Sequence, residues 1–127
     1  MVTTEGDKRV LYAGLGGGSL VAVDVNTGEI AWKIPFGTVE GAPPGLQTGA
    51  PNSQKGGPTS TAGGVLFIGG ATDRRFRAYE TKTGRELWSV ETDQLISGAN
   101  PIIYMGQDGK QYVAVAAGTT LLTYTLP

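Results

Sequence analysis

Apolar and polar residues alternate at period two in short runs along this chain, and each run ends at Gly, Asn or Asp. Between residues 57 and 92 the alternation predicts four strands, near 59–62, 65–69, 76–80 and 86–91, joined as an antiparallel meander. The tight links Asn26-Thr27-Gly28 and Lys82-Thr83-Gly84 suit hairpins in which Gly28 and Gly84 take a positive φ that a side chain resists.

The pattern repeats. VLYAG (10–14) matches VLFIG (65–69), and LVAVDVNTGEIAWKI (20–34) matches FRAYETKTGRELWSV (76–90). A third copy begins at QYVAVAAG (111–118) and runs into LLTYTLP, where residues 121–124 take the places of 76–79, stopping short of a Thr-Gly turn and a tryptophan. Trp32 and Trp88 stand at one fixed distance from their turns and so leave the same face of each copy, where a large ring packs one sheet on the next and its N–H needs an acceptor. The units are about 8–36, 57–92 and 98–127 within a single module spanning 1–127, with a Gly/Pro-rich loop at 37–57. Only nine residues precede the strand at Val10, too few to suggest an inner strand for the first unit, and the last unit lacks an outer one. Open strand edges invite pairing. The missing strand is therefore expected from another part of a longer chain or from a second copy.

Composition narrows the function classes. Twenty-one glycines and seven prolines among 127 residues fit an all-β chain rich in turns. Ten basic and eleven acidic residues, with no basic block, argue against nucleic acid as a partner. No apolar run is long enough to cross a membrane as a helix. The absence of cysteine removes disulfides and thiolate metal sites, and the absence of histidine removes His-based triads and most zinc sites. GLGGGS (14–19) lacks the lysine and the following helix of a phosphate loop and reads as a flexible hairpin.

Four-stranded units of about 40–45 residues are the blades of a β-propeller. The pattern A-x-D-x-x-T-G-x-x-x-W, here Ala22, Asp24, Thr27, Gly28 and Trp32, resembles the tryptophan-docking repeat of quinoprotein dehydrogenases that use pyrroloquinoline quinone (PQQ); the second copy keeps Ala78, Thr83, Gly84 and Trp88 but has Glu80 for Asp. The stretch from GGPTSTAGG (56–64) through NPIIYMGQDGKQYVAVAAG (100–118) to the terminal YTLP is similar to the C-terminal end of the membrane-bound glucose and quinate dehydrogenase type. The resemblance implies an all-β fold of about two blades plus parts, an incomplete propeller that closes by oligomerisation or against the remainder of a longer propeller.

It also implies PQQ and calcium as cofactors, a sugar or alcohol substrate, and a periplasmic location. The loop at 37–57 corresponds in such enzymes to a connection on the face where cofactor and substrate enter, which makes Gly56, Gly57, Pro58 and Thr59 the candidates for lining the PQQ side, glycine letting backbone approach a flat ring. The competing reading makes Gly56 and Gly57 turn residues that merely enter a strand. The family's carboxylate base and calcium ligands map to earlier blades; Asp24, Asp73, Glu80, Asp93 and Asp108 all occupy turn or repeat positions here and read as turn-formers or solvated charges. Arg74, Arg75 and Arg77 could meet a PQQ carboxylate, but a solvated hairpin tip describes them better. After Ala-Ala-Gly the glucose-type enzymes carry a Gly- and His-rich insertion that this chain lacks, passing from Gly118 through Thr119 and Thr120 to Leu121, which leaves the substrate open.

Two function classes follow. One is the C-terminal portion of a PQQ-dependent sugar or alcohol dehydrogenase, inactive alone because the base and metal site lie elsewhere. The other is a non-catalytic propeller module for self-assembly or protein binding.

Overall fold

The computed structural model describes residues 2–5, 8–15, 17–39, 41–43, 46–49, 57–70, 73–96 and 99–125. Every regular element among them is a strand: β1 Val2–Glu5, β2 Lys8–Leu15, β3 Ser19–Asp24, β4 Ile30–Pro35, β5 Thr59–Ser60, β6 Val65–Ile68, β7 Arg75–Glu80, β8 Glu86–Glu91, β9 Ile102–Met105, β10 Gln111–Ala117 and β11 Thr120–Thr125. They form three antiparallel meanders in chain order, β1-β2-β3-β4, β5-β6-β7-β8 and β9-β10-β11.

The first sheet corrects one expectation from the sequence. Val2–Glu5 does supply an inner strand, pairing from Val2↔Leu11 to Glu5↔Lys8. A four-residue edge strand needs only backbone hydrogen bonds along one side, and Val2, Thr3 and Thr4 are β-branched, so its signal was hidden by shortness and polarity. The third sheet has three strands among the described residues and leaves one side of β11 without a strand.

The two Thr-Gly turns are built alike. Gly28 and Gly84 share φ = 75°, and their N–H groups donate to the carbonyls of Asp24 (2.7 Å) and Glu80 (2.9 Å). In each, the threonine hydroxyl accepts the N–H two residues on, Glu29 to Thr27 and Arg85 to Thr83, both at 3.2 Å. The replacement of Asp24 by Glu80 changes the side-chain bond rather than the turn: Asp24 accepts the Asn26 N–H, whereas Glu80 accepts the Thr83 hydroxyl. A register shift falls at the same place in both copies, at Ala22/Val23 and Ala78/Tyr79.

The second sheet lies between the other two and has two apolar faces, because alternate residues of a strand point to opposite sides. Leu66, Ile68 and Tyr79 join Val10, Tyr12, Leu20, Ala22 and Phe36 in a core against the first sheet, with Trp32 and Ile34 packed on it. Phe67, Phe76 and Val90 join Val113, Val115, Ala117 and Leu122 in a core against the third. Ile96, from the connection between β8 and β9, plugs the latter and sits where a Cβ on Gly69 would fall 2.7 Å from its side chain.

Candidate functional site

Meander topology sorts the connections onto two ends. The turns β1–β2, β3–β4, β5–β6, β7–β8 and β9–β10 lie at one end; β2–β3, β6–β7, β10–β11 and the longer links between sheets lie at the other. That second end is where irregular backbone concentrates and where a site would be carried on loops held by a rigid scaffold. Hydrogen bonds stitch its loops together: Phe36 N–H donates to the Gly18 carbonyl (2.8 Å), Thr92 N–H to the Arg74 carbonyl (2.7 Å) and Gly118 N–H to the Leu95 carbonyl (3.1 Å). Thr119 N–H donates to Gln94 Oε1 at 2.9 Å, so the Gly118–Thr120 corner is a bonded turn at this end.

Of the four candidates from the sequence, Gly56 lies outside the described residues. Gly57 donates its N–H to Asn100 Oδ1 at 2.6 Å, and a Cβ on Gly57 would meet that same oxygen at 2.6 Å. Pro58 is buried, and the Thr59 hydroxyl donates to the Pro101 carbonyl at 2.7 Å. These residues thus join the inner edge of the second sheet to that of the third. A side chain at Gly57 would displace the Asn100 amide from this bond, and the Thr59 hydroxyl proton is already committed.

The three arginines do not form a free cationic patch. Arg74 sits at φ = 57° at the hairpin tip, an uncommon conformation for a side-chain-bearing residue, with its carbonyl gripped by Thr92 and its guanidinium beside Glu91 at 3.6 Å. Arg75 donates to Ser89 Oγ at 3.2 Å. Arg77 is fully buried, donates through Nη1 to Asp73 Oδ1 at 3.0 Å and through Nη2 to Asp73 Oδ2, and lies 3.6 Å from Glu86 and 5.6 Å over the Phe36 ring.

Asp73 keeps the turn role read from the sequence, accepting the Arg75 N–H at 3.3 Å, but it is not a solvated charge, because Arg77 and Thr38 also bond its carboxylate. Burial pushes its carboxyl up, but the bonds from Arg77, from the Thr38 hydroxyl and from the Arg75 N–H outweigh that and hold it below the ordinary carboxylate value. Next to it, burial raises the Tyr79 phenol far above its usual range, so its hydroxyl stays protonated and donates to Gln47 Oε1 at 2.8 Å. Arg77 shares its strand face with Arg75 and Tyr79, so the row itself carries no signal that this arginine is the buried one.

The donor set tests whether the described residues fit a calcium-bound PQQ. No group of three or more acidic residues is gathered to hold a metal ion among them. The arginines that could receive quinone carboxylates are already paired. What this chain offers at the inner edge is close-packed backbone at Gly57 and Pro58. The described residues do not by themselves fit the full cofactor and metal.

A second concavity, of about 510 Å³, opens between the second and third sheets. Phe67, Leu87, Trp88, Val113 and Tyr124 line it, and β11 forms its edge. No helix among the described residues is long and apolar enough to cross a membrane.

Residues 17–113 match the family described as "PQQ: Glucose/ethanol/alcohol dehydrogenase, beta-propeller domain". The probable quinate dehydrogenase (quinone) of Xanthomonas campestris pv. juglandis is 40% identical over 107 residues, which cover 80% of this chain and 13% of that protein. The quinohemoprotein alcohol dehydrogenase of Comamonas testosteroni superposes with a TM-score of 0.61 at 32% identity, over 81% of this chain and 13% of that one. BamB from Moraxella catarrhalis, at 21% identity and a TM-score of 0.60 over 97% of this chain and 32% of that one, shares the fold. The chain thus belongs to the β-propeller domain family of PQQ glucose/ethanol/alcohol dehydrogenases, and it spans about an eighth of the quinate relative's length.

Proposed function

We propose that this chain is the C-terminal propeller portion of a PQQ-dependent dehydrogenase that oxidises a sugar or alcohol, of the glucose/quinate type and located in the periplasm. The family match over residues 17–113 carries this reading. In this reading the carboxylate base and the calcium site belong to blades outside this chain, and the chain alone is inactive. PQQ, when bound in such an enzyme, supplies the two-electron acceptor and calcium polarises it.

Within that reading, Gly57, Pro58 and Thr59, with Gly56 beside them, border the cofactor side. Their contribution is shape rather than acid–base chemistry. The Asn100 and Pro101 bonds hold the inner edge, so that backbone can lie close to a flat ring.

Titrating the chain with PQQ, with and without calcium, while following tryptophan fluorescence tests this assignment. Weak saturable quenching without alcohol or sugar turnover is expected. No binding at millimolar PQQ would remove Gly56–Thr59 from the cofactor side.

The open side of β11 and the apolar groove beside it favour a second reading, in which the module completes itself by pairing with the remainder of a longer propeller or with another copy. Sedimentation across a concentration series decides the intermolecular version. A monomer at every concentration sinks it.

A further inference from the structure

The described residues after β4, 36–39 and 46–49, are bonded to one another as a strap: Thr48 and Gly49 N–H both donate to the Gly37 carbonyl at 3.0 Å, and Val39 N–H donates to Thr48 Oγ1 at 2.8 Å. Two side-chain ties fasten it to the second sheet. The Thr38 hydroxyl shares its proton between the Leu46 carbonyl (2.6 Å) and Asp73 Oδ2 (2.9 Å), and Gln47 Oε1 accepts from the Tyr79 hydroxyl (2.8 Å) and the Gly37 N–H (3.4 Å). Both ties end on one row of side chains, Asp73, Arg77 and Tyr79, and Arg77 also lies over Phe36 at the root of the strap.

We infer that Arg77 is a positioning residue, which acts through Asp73 and Thr38 to fix the strap of residues 36–39 and 46–49 at the loop end of the first two sheets. A buried ion pair is a poor way to hold two sheets together, because desolvation cancels much of its attraction and apolar side chains of similar volume do as well. What it supplies and an apolar pair cannot is direction. Two guanidinium bonds orient the Asp73 carboxylate, and a fixed carboxylate oxygen is what the Thr38 hydroxyl needs. Gly57 follows this strap in the chain; any bearing of the strap on the inner edge rests on the cofactor reading above, whereas the fastening itself does not.

Amide hydrogen exchange on the whole chain tests the fastening. Thr38→Val removes the tie without burying a lone charge, Thr38→Ser keeps it, and the paired change Arg77→Met with Asp73→Leu replaces the ion pair by apolar volume. Exchange at Gly37, Val39, Thr48 and Gly49 is expected to rise about tenfold in Thr38→Val and in the paired variant, to stay as in the parent in Thr38→Ser, and to leave the β3 and β7 amides unchanged. Unchanged strap exchange overturns the inference, and so does a rise shared equally by the sheets, which would make the pair a staple of the core. PQQ titration of the same variants separates the two ideas: altered strap exchange with unaltered or absent PQQ binding sinks the cofactor reading and leaves the fastening intact.

Discussion

Trp32 and Trp88 occupy one position in two copies of a repeat, and the chain treats them differently. Trp32 leaves β4 toward the second sheet, donates its indole N–H to the Thr81 carbonyl at 2.9 Å and lies on the Thr83-Gly84 turn, where a Cβ on Gly84 would come within 2.7 Å of the ring. Tyr12 packs beside it with ring centroids 5.9 Å apart. Trp88 leaves β8 toward the third sheet and meets Phe76 and Tyr124 edge-on at 5.9 and 5.2 Å, yet 37% of it is exposed and it forms a wall of the 510 Å³ groove. Among the described residues, no turn of the third sheet stands where Gly84 stands under Trp32. The first interface therefore combines apolar packing with a capped indole and a buried ion pair that ties the Thr38 loop to the second sheet. The second combines apolar packing with inner-edge hydrogen bonds to Asn100 and Pro101 and leaves its indole uncapped by a turn. A repeated side chain acquires its full role only when the next repeat brings the matching turn.

The largest effect is expected where the first interface holds a charge. Asp73→Ala should cost about 3–5 kcal/mol in denaturant unfolding, because Arg77 is left buried with its main partner gone; a loss below about 1 kcal/mol would mean that the ion pair does not distinguish this interface. The pH dependence has a fixed sign. Since the folded carboxyl of Asp73 lies below the ordinary value of 3.8, its contribution is present above pH 3.8 and is lost as pH falls from there through the folded value. Unfolding midpoints should accordingly drop below that pH in the parent and drop less in Asp73→Ala.

Next come the tryptophans. Trp32→Ala should cost about 3 kcal/mol and Trp88→Ala about 1 kcal/mol, the second ring being partly in water already. Equal losses would erase the contrast between the interfaces. A smaller difference separates the two turn glycines, which share one φ but not one neighbourhood. Gly28→Ala, with open space around the new methyl, should cost about 1 kcal/mol from backbone strain. Gly84→Ala should cost about 2–3 kcal/mol, because the methyl also collides with the Trp32 ring. The finest probe is spectroscopic: with Trp32→Phe and Trp88→Phe each isolating one indole, acrylamide should quench Trp88 more readily than Trp32.

Legibility from sequence followed the range of the interactions. The second sheet and both Thr-Gly turns could be read because alternation and the glycine at φ = 75° are properties of a few consecutive residues. Val2–Glu5 escaped because an edge strand of four polar or β-branched residues has almost no local signature. At the candidate site, Gly57 could be singled out from the glycine pair, but the Asn100 side chain that it meets arrives from the link before β9. Asp73 could be read as a turn residue, but its bond with Arg77 could not, because nothing in the neighbouring residues tells which of Arg75 and Arg77 is buried.

What this chain's sequence determined alone is therefore the strand inventory apart from Val2–Glu5, the turn chemistry and the sheet-forming repeat, since hydrogen-bonded meanders are built from near neighbours. What only the tertiary structure decided is which repeated residue becomes functional in packing: that Trp32 finds the Thr81 carbonyl while Trp88 borders a groove, and that Arg77, Asp73 and Thr38 form one bonded row. Those outcomes depend on contacts between separate sheets, where the position of a partner is set by the stacking of whole sheets and cannot be computed from the residues that need it.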